Sequence, residues 1–193
     1  INLTVLTINY SAGGGCGILP MIVTTLWTVL LSLAVATPIG VLGAVYLQEY
    51  AKQGKMVKFI RFATESLAGI PSIVYGLFGG IFFVVALKMG YSILAGSLTV
   101  SIIILPVIIR TTEEALKTVP ESYREASLGL GATKFQTLYK VILPSAMPGI
   151  LSGVILSIGR IIGESAAILL TAGTVAQRPK GIFSSARTLT VQA

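Results

Sequence analysis

The sequence predicts an all-α integral membrane protein, a polytopic bundle of about four transmembrane helices, from its apolar composition and the spacing of its charges. Of its 193 residues, 54% are hydrophobic and 11% are charged, and the mean hydropathy is +0.89. A water-soluble domain does not need so apolar a composition to fill its core. Four apolar stretches are each long enough to cross ~30 Å of hydrocarbon. They are 18–47, 66–87, 89–109 and 148–171.

The first stretch contains Pro38, which we expect to kink a helix because proline removes a backbone donor. Ala36, Gly40 and Ala44 lie four residues apart, and small residues at this spacing let another helix approach closely. The same spacing recurs in Ser72, Gly76 and Gly80, in Gly149 with Gly153, and in Gly159 with Gly163. It predicts a packed multi-helix assembly.

The basic residues predict the orientation in the membrane. With four spans, residues 48–65 and 110–147 lie on one side with nine Lys and Arg, and the tails and the turn at Lys88 lie on the other with four. This bias places both large loops in the cytoplasm of a multi-pass protein in the cell membrane. The net charge of +7 does not indicate nucleic acid, because the basic residues do not form one stripe.

Several kinds of chemistry are excluded by composition. The single cysteine, Cys16, and the absence of histidine argue against redox and metal sites. A phosphate-binding loop requires a Gly-Lys pair followed by Ser or Thr, and Gly54-Lys55 is followed by Met56. We therefore expect neither an enzyme nor a bound cofactor, and any ATP must be bound by another subunit.

A polar segment, 110–147, separates two apolar stretches and is the main clue to function. Thr118 and Glu121 match a capping box at the start of a short helix, which we expect to end near Gly129 and Gly131. A second capping box, Thr133 with Gln136, predicts another helix running toward Leu143-Pro144. Tyr123, Leu128, Leu130 and Phe135 are mixed with charges between these boxes, which is typical of a docking surface.

Within this segment, Glu125-Ala126-Ser127, Gly131, Val141 and Leu143-Pro144 resemble the EAA loop of ABC importer permeases. The family pattern is E-A-A, three residues, G, nine residues, I, one residue, L-P, so Ser127 and Val141 depart from it conservatively. The resemblance implies a coupling helix that sits in a groove of the ATP-binding subunit. The interface residues it implies are Pro120, Glu121, Tyr123, Arg124, Glu125, Ala126, Ser127, Leu128, Gly129, Leu130, Gly131, Ala132, Thr133, Phe135 and Thr137.

Further stretches resemble phosphate importer permeases of the PstA type, over nearly the whole chain. They are 61–62, 70–78, 109–114, 159–167 and 187–189. Residues 1–193 are then expected to form a single transmembrane domain that lacks the first and sixth helices of the family. The resemblance implies three kinds of partner: a second permease that forms a heterodimer with this one, an ATPase dimer that binds ATP and Mg, and an external phosphate-binding protein.

Two charges, Arg160 and Glu164, interrupt the last apolar stretch one helical turn apart. A charge at the centre of a membrane helix costs at least ~3 kcal/mol, so it requires a function. Arginine suits a tetrahedral oxyanion, because its planar fork donates two hydrogen bonds. We expect a substrate pathway at Arg160 and Glu164, with Ser165 and Thr171 as weaker candidates; the alternative is an ion pair that only joins helices. Arg110 either lines the same pathway or reaches lipid headgroups.

The function expected is a permease subunit of a type I ABC importer, carrying inorganic phosphate. The alternative in the same class is a permease for another oxyanion, such as sulfate or molybdate. In a different class, an ATP-independent channel or secondary carrier would use Arg160 and Glu164 as its ion pathway. The spacing of the EAA-like residues argues against that alternative.

Overall fold

The computed structural model describes residues 18–175 and 181–192, and these residues form helices and their connections. Cys16 and the basic residues Arg178 and Lys180 lie outside the described residues. In chain order the helices are α1 (Leu19–Tyr50), α2 (Lys55–Ala68), α3 (Ser72–Ala86), α4 (Ile93–Lys117), α5 (Glu121–Gly129), α6 (Lys134–Gly163), α7 (Ala166–Thr171) and α8 (Leu189–Gln192). The all-helical fold class is confirmed for this part of the chain.

Three helices, α1, α4 and α6, are long and apolar enough to cross a membrane. The prediction of one continuous span over 66–87 was wrong. Helices α2 and α3 are separated by a break, and their axes differ in direction by 96°. Pro71 explains the break, since proline disfavours a helical conformation of the residue before it and lacks a backbone donor. The pair α2 and α3 counts as a fourth span only as a bent one.

The span predicted over 148–171 was wrong at both ends. Its helix begins at Lys134 and includes Pro144 and Pro148, with a π-helical turn at Leu138–Ile142 just before the first proline. Local π turns help to satisfy backbone groups that a proline leaves unpaired in a membrane helix. The helix then ends at Gly163, and the chain resumes as α7 after two residues.

Residues of the described chain within 18–36, 69–104 and 158–192 form one compact unit. In it, α3 packs against α7, and a Cβ on Gly76 would lie 2.8 Å from the Cα of Ala167. The buried hydroxyl of Ser32 donates to the carbonyl of Ser97 at 3.0 Å, and that of Ser101 donates to the carbonyl of Ser32 at 3.2 Å. Hydroxyl donors therefore join α1 to α4 here.

Residues 37–68 and 105–157 form a second unit. Its core joins α1, α4 and α6 through buried apolar side chains: Val45, Ala115, Leu116, Val119, Leu138, Ile142, Ala146 and Ile150. Three glycines permit this packing. A Cβ added to Gly40 would lie 2.7 Å from the Ile108 side chain, and one added to Gly149 would lie 2.6 Å from the Cβ of Ala115. A Cβ added to Gly153 would overlap the Thr111 hydroxyl.

The small residues predicted to allow close helix contacts do so at Gly40, Gly76, Gly149 and Gly153. At Gly159 and Gly163, by contrast, nothing lies within 4 Å of an added Cβ. No close helix contact is therefore formed at these two glycines within the described chain.

Replacing Gly76 with Ala tests the contact between α3 and α7. The added methyl meets backbone atoms, so we expect Gly76→Ala to lower the free energy of unfolding by about 1–3 kcal/mol. Gly159→Ala is the matched control, because a helical glycine in open space gains up to about 1 kcal/mol on replacement by alanine. Thermal unfolding of the detergent-purified protein measures both, and equal stability of the two variants would contradict the contact.

Candidate functional site

Helix α5 forms where the sequence predicted it, but its start is not capped as expected. It begins at Glu121 after Pro120, and no side chain caps its first turn. The hydroxyl of Thr118 instead donates to the carbonyl of Ala115 at 2.8 Å, at the end of α4. The capping box predicted between Thr118 and Glu121 was therefore wrong.

The bend after α5 and the start of α6 agree with the sequence. Gly131 has a φ of +81°, a left-handed conformation that glycine adopts without steric cost. The predicted capping box is present. The backbone amide of Gln136 donates to the Thr133 hydroxyl at 3.3 Å, and the backbone amide of Thr133 donates to the side-chain oxygen of Gln136 at 2.9 Å. The hydroxyls of Ser127 and Thr137, 2.9 Å apart, add a direct bond between the two helices.

Arg124 ties α5 to two other helices. Its guanidinium donates to Glu49 at the end of α1 at 2.7 Å, to Glu121 at 2.7 Å and to the Leu116 carbonyl in α4 at 3.3 Å. The side chains of Arg124 and Glu49 are each only 16% exposed. Burial lowers the pKa of Arg124, but the hydrogen bonds to Glu121 and Glu49 outweigh it and raise the pKa above its ordinary value. The cation is thus fixed in this position.

This anchor was not predicted, since Arg124 was expected on the outer surface. A signal was present in the sequence: Glu49 is the first charged residue of the chain, at the end of an apolar span. A carboxylate in that position needs a cationic partner.

The remaining residues of the predicted interface form an exposed surface on α5, the Gly131 bend and the first turns of α6. Leu130 is 90% exposed, and Tyr123, Leu128 and Phe135 are also exposed. Phe135 stacks on Tyr139 with ring centroids 6.4 Å apart. Thr137 is buried, and Arg124, Ser127 and Ala132 are half-buried, so these four positions support the surface instead of forming it.

Glu125 differs from every other glutamate in the chain. All seven acidic residues are glutamates within the described ranges. Five pair with arginines, namely Glu49, Glu65, Glu113, Glu114 and Glu121. Glu164 accepts a hydrogen bond from the Ala167 amide at 3.2 Å. Within the described chain only Glu125 is left exposed with no bonding partner.

A cavity of about 440 Å³ lies in the second unit, lined mainly by α2 and α4. Arg110 lines it, and its guanidinium pairs with Glu65 at 3.3 Å and with Glu114 at 3.2 Å. The structure therefore places Arg110 beside a cavity and between two carboxylates.

On the same cavity, Arg61 is held on three sides. It donates to the buried carboxylate of Glu113 at 3.1 Å and to the side chains of Gln48 and Gln53, each at 3.2 Å. Lys117 lines the cavity as well and forms none of the ion pairs of the described chain. The lining thus combines three cations and three carboxylates. Nowhere in the described ranges do three His, Cys, Asp or Glu side chains gather so as to hold a metal ion.

Arg160 and Glu164 are not arranged as the sequence suggested. Arg160 is in the last turn of α6, whereas Glu164 follows the end of that helix and caps α7. The five ion pairs of the described residues do not include one between them. The expectation of a shared helical face was wrong, because the helix breaks between the two residues.

The two hydroxyl candidates differ in availability. Ser165 is exposed in the break between α6 and α7. Thr171 is fully buried, and its hydroxyl donates to the Ala167 carbonyl at 2.6 Å. Of the two hydroxyls, only that of Ser165 is on an exposed residue.

Comparison with known proteins identifies relatives of this chain. The family model for the inner membrane component of binding-protein-dependent transport systems matches residues 36–191. The probable ABC transporter permease protein YqgI of Bacillus subtilis is 39% identical over 194 residues, covering 94% of this chain and 65% of the relative. The phosphate transport system permease protein PstA of Pasteurella multocida is 41% identical, covering 81% of this chain and 55% of the relative.

A solved structure has a similar fold. The methionine ABC transporter MetNI in an inward-facing conformation matches with a TM-score of 0.64 and 25% identity, over 78% of this chain and 70% of that one. The chain spans less than two thirds of the length of the curated relatives named above. Since the family model covers most of the sequence, the chain belongs to the family of inner membrane components of binding-protein-dependent transport systems, the permeases of ABC transporters.

Proposed function

We propose that this chain acts as a permease subunit of an ATP-driven importer and that the imported solute is inorganic phosphate. The observation that carries the coupling role is Glu125, the single unpartnered and exposed carboxylate of the described chain, on a helix anchored by Arg124. A free carboxylate beside exposed apolar side chains is suited to receive a basic group of a partner. Phosphate is favoured over sulfate or molybdate because several relatives are named phosphate permeases.

In this proposal, α5 and the Gly131 bend are the surface that contacts an ATP-binding subunit. Leu130, Tyr123 and Phe135 supply apolar contact area, and Glu125 supplies charge. The partner binds ATP and Mg, and its closure pushes α5. Because Arg124 joins α5 to Glu49 and to the Leu116 carbonyl, the push reaches α1 and α4 directly.

The solute pathway is proposed to include Arg160, Ser165 and Arg110. Arg160 forms no ion pair within the described chain, so its guanidinium is available to an oxyanion, with which it forms two parallel hydrogen bonds. Arg110 borders the cavity in the second unit, where an arriving anion would compete with Glu65 and Glu114 for its guanidinium. An ATP-independent channel would need no anchored docking helix, and the features of α5 therefore favour the importer.

The orientation and the assembly are proposals too. Residues 48–65 and 110–147 face the cytoplasm, as the distribution of Lys and Arg indicates. A second permease completes the pathway, and an external phosphate-binding protein delivers the anion on the opposite side.

Gly131→Ala tests the coupling role. A left-handed conformation costs a residue with a Cβ about 1–2 kcal/mol, so the bend should shift and ATP-driven phosphate uptake should fall about fivefold or more. Gly43→Ala is the matched control, since Gly43 is helical, lies outside this surface, and an added Cβ there also meets open space. We expect near-normal uptake from the control. Equal uptake by the two variants, with the ATPase retained, would contradict the coupling role.

Arg160→Gln tests the pathway. We expect phosphate uptake into vesicles to be lost while the permease still co-purifies with the ATPase, because only the oxyanion contact is removed. Arg160→Lys, which retains charge but not the planar fork, should keep part of the uptake. Normal uptake by Arg160→Gln would exclude the pathway role, and loss of assembly would favour a structural one. ATP-driven uptake of labelled sulfate or molybdate, with none of labelled phosphate, would assign another oxyanion.

A further inference from the structure

Helix α2 exposes apolar side chains on the face opposite to the one that packs on the protein. Val57 is 4% exposed and Thr64 is half-buried, on the packed face. The other face carries Met56, Phe59 and Phe62, which are 77%, 68% and 67% exposed. A helix with apolar residues on both faces needs a cover for the second face.

Three lysines surround this apolar face without any acidic partner. Lys52, Lys55 and Lys58 are exposed and form none of the ion pairs of the described chain. The nearest acids along the sequence are Glu49 and Glu65, and each is already paired with an arginine. The local charge of this face is therefore positive and uncompensated.

The position of α2 along the chain places it close to the membrane surface. It begins five residues after the end of the spanning helix α1, so its first residue lies at most about 18 Å from that end. The last turn of α1 exposes Tyr46 and Tyr50, and tyrosines of this kind mark the boundary between lipid and water.

We infer that α2 lies in the membrane–water interface and binds anionic phospholipid. Met56, Phe59 and Phe62 enter the boundary between headgroups and acyl chains, and Lys52, Lys55 and Lys58 bind the lipid phosphates. Lysines beside an apolar helical face are the usual composition of a helix that rests on an anionic membrane.

A second copy of this chain fits the surface less well than lipid does. Of the carboxylates that such a copy would offer, only Glu125 is both exposed and unpaired in the described ranges, against three lysines. A continuous anionic surface satisfies all three and covers the apolar face at once. This inference depends on membrane insertion and not on the transported solute.

Spin labelling of the assembled transporter tests the contact with lipid. The protein carries Cys16→Ala and a single label at Phe59→Cys, in vesicles of phosphatidylcholine and phosphatidylglycerol at a ratio of about 7:3, a content of anionic lipid that gives a negative surface. We expect the label to collide with oxygen and to be protected from a water-soluble nickel chelate. A label at Gly181→Cys, exposed in the segment between α7 and α8, should show the reverse.

A label at position 59 that is protected from both reagents would mean that a protein covers this face, and free collision with the chelate would mean that water does. Either result would overturn the inference. Neither depends on phosphate uptake, which is measured separately on the same vesicles, so a failure here is distinguishable from a failure of the proposed function.

The role of the lysines is tested by lipid preference. A fluorophore on the same Phe59→Cys should be quenched at least about fivefold more effectively by phosphatidylglycerol that carries a nitroxide than by phosphatidylcholine that carries one, as expected from attraction at even one lysine. Replacing Lys52, Lys55 and Lys58 together with Gln should abolish this preference. The matched control replaces Lys88, Lys117 and Lys134 with Gln and removes the same charge elsewhere. An equal loss in both variants, or no loss in the first, would contradict a headgroup site on α2.

Discussion

The ion pair between Arg124 and Glu49 is the contact on which the proposed coupling depends. Helix α5 has nine residues and would not hold its position through helix propensity alone, because short isolated helices are marginal in water. The guanidinium of Arg124 ties it to α1, and the Leu116 carbonyl ties it to α4. The Ser127–Thr137 bond and the capping box then fix the start of α6 beside it. A force applied to α5 is therefore transmitted to α1, α4 and α6 through direct hydrogen bonds.

The charged residues of the described chain divide into two groups. Every ion pair uses an arginine, and together Arg61, Arg110 and Arg124 engage five of the seven glutamates. This is consistent with the planar guanidinium, which binds two carboxylates at once where a lysine ammonium acts as a point charge. The lysines remain exposed. Of the other two glutamates, Glu164 accepts a hydrogen bond from the Ala167 amide. Glu125 has no partner among the described residues and lies on the surface proposed to bind the ATPase.

Much of this arrangement follows from local sequence signals. The bend at Gly131 and the capping box of Thr133 and Gln136 were predicted, because glycine conformation and capping depend on residues within one turn. The breaks at Pro71 and after Gly163 were missed, because apolar composition indicates only that a stretch suits lipid and not that it forms one helix. The inward position of Arg124 was missed for a different reason. Its partner lies 75 residues away in sequence, and no local pattern connects them.

Reversal of the charges of Arg124 and Glu49 tests the central claim most directly. ATP-driven uptake is measured in vesicles for Arg124→Glu, for Glu49→Arg and for the double variant, with co-purification of the ATP-binding subunit as the control for assembly. We expect each single variant to lose uptake and the double variant to recover part of it, since the pair between α1 and α5 is re-formed in the opposite sense whereas the bond to the Leu116 carbonyl is not. Normal uptake by the single variants, or a double variant no better than either one, would contradict the claim.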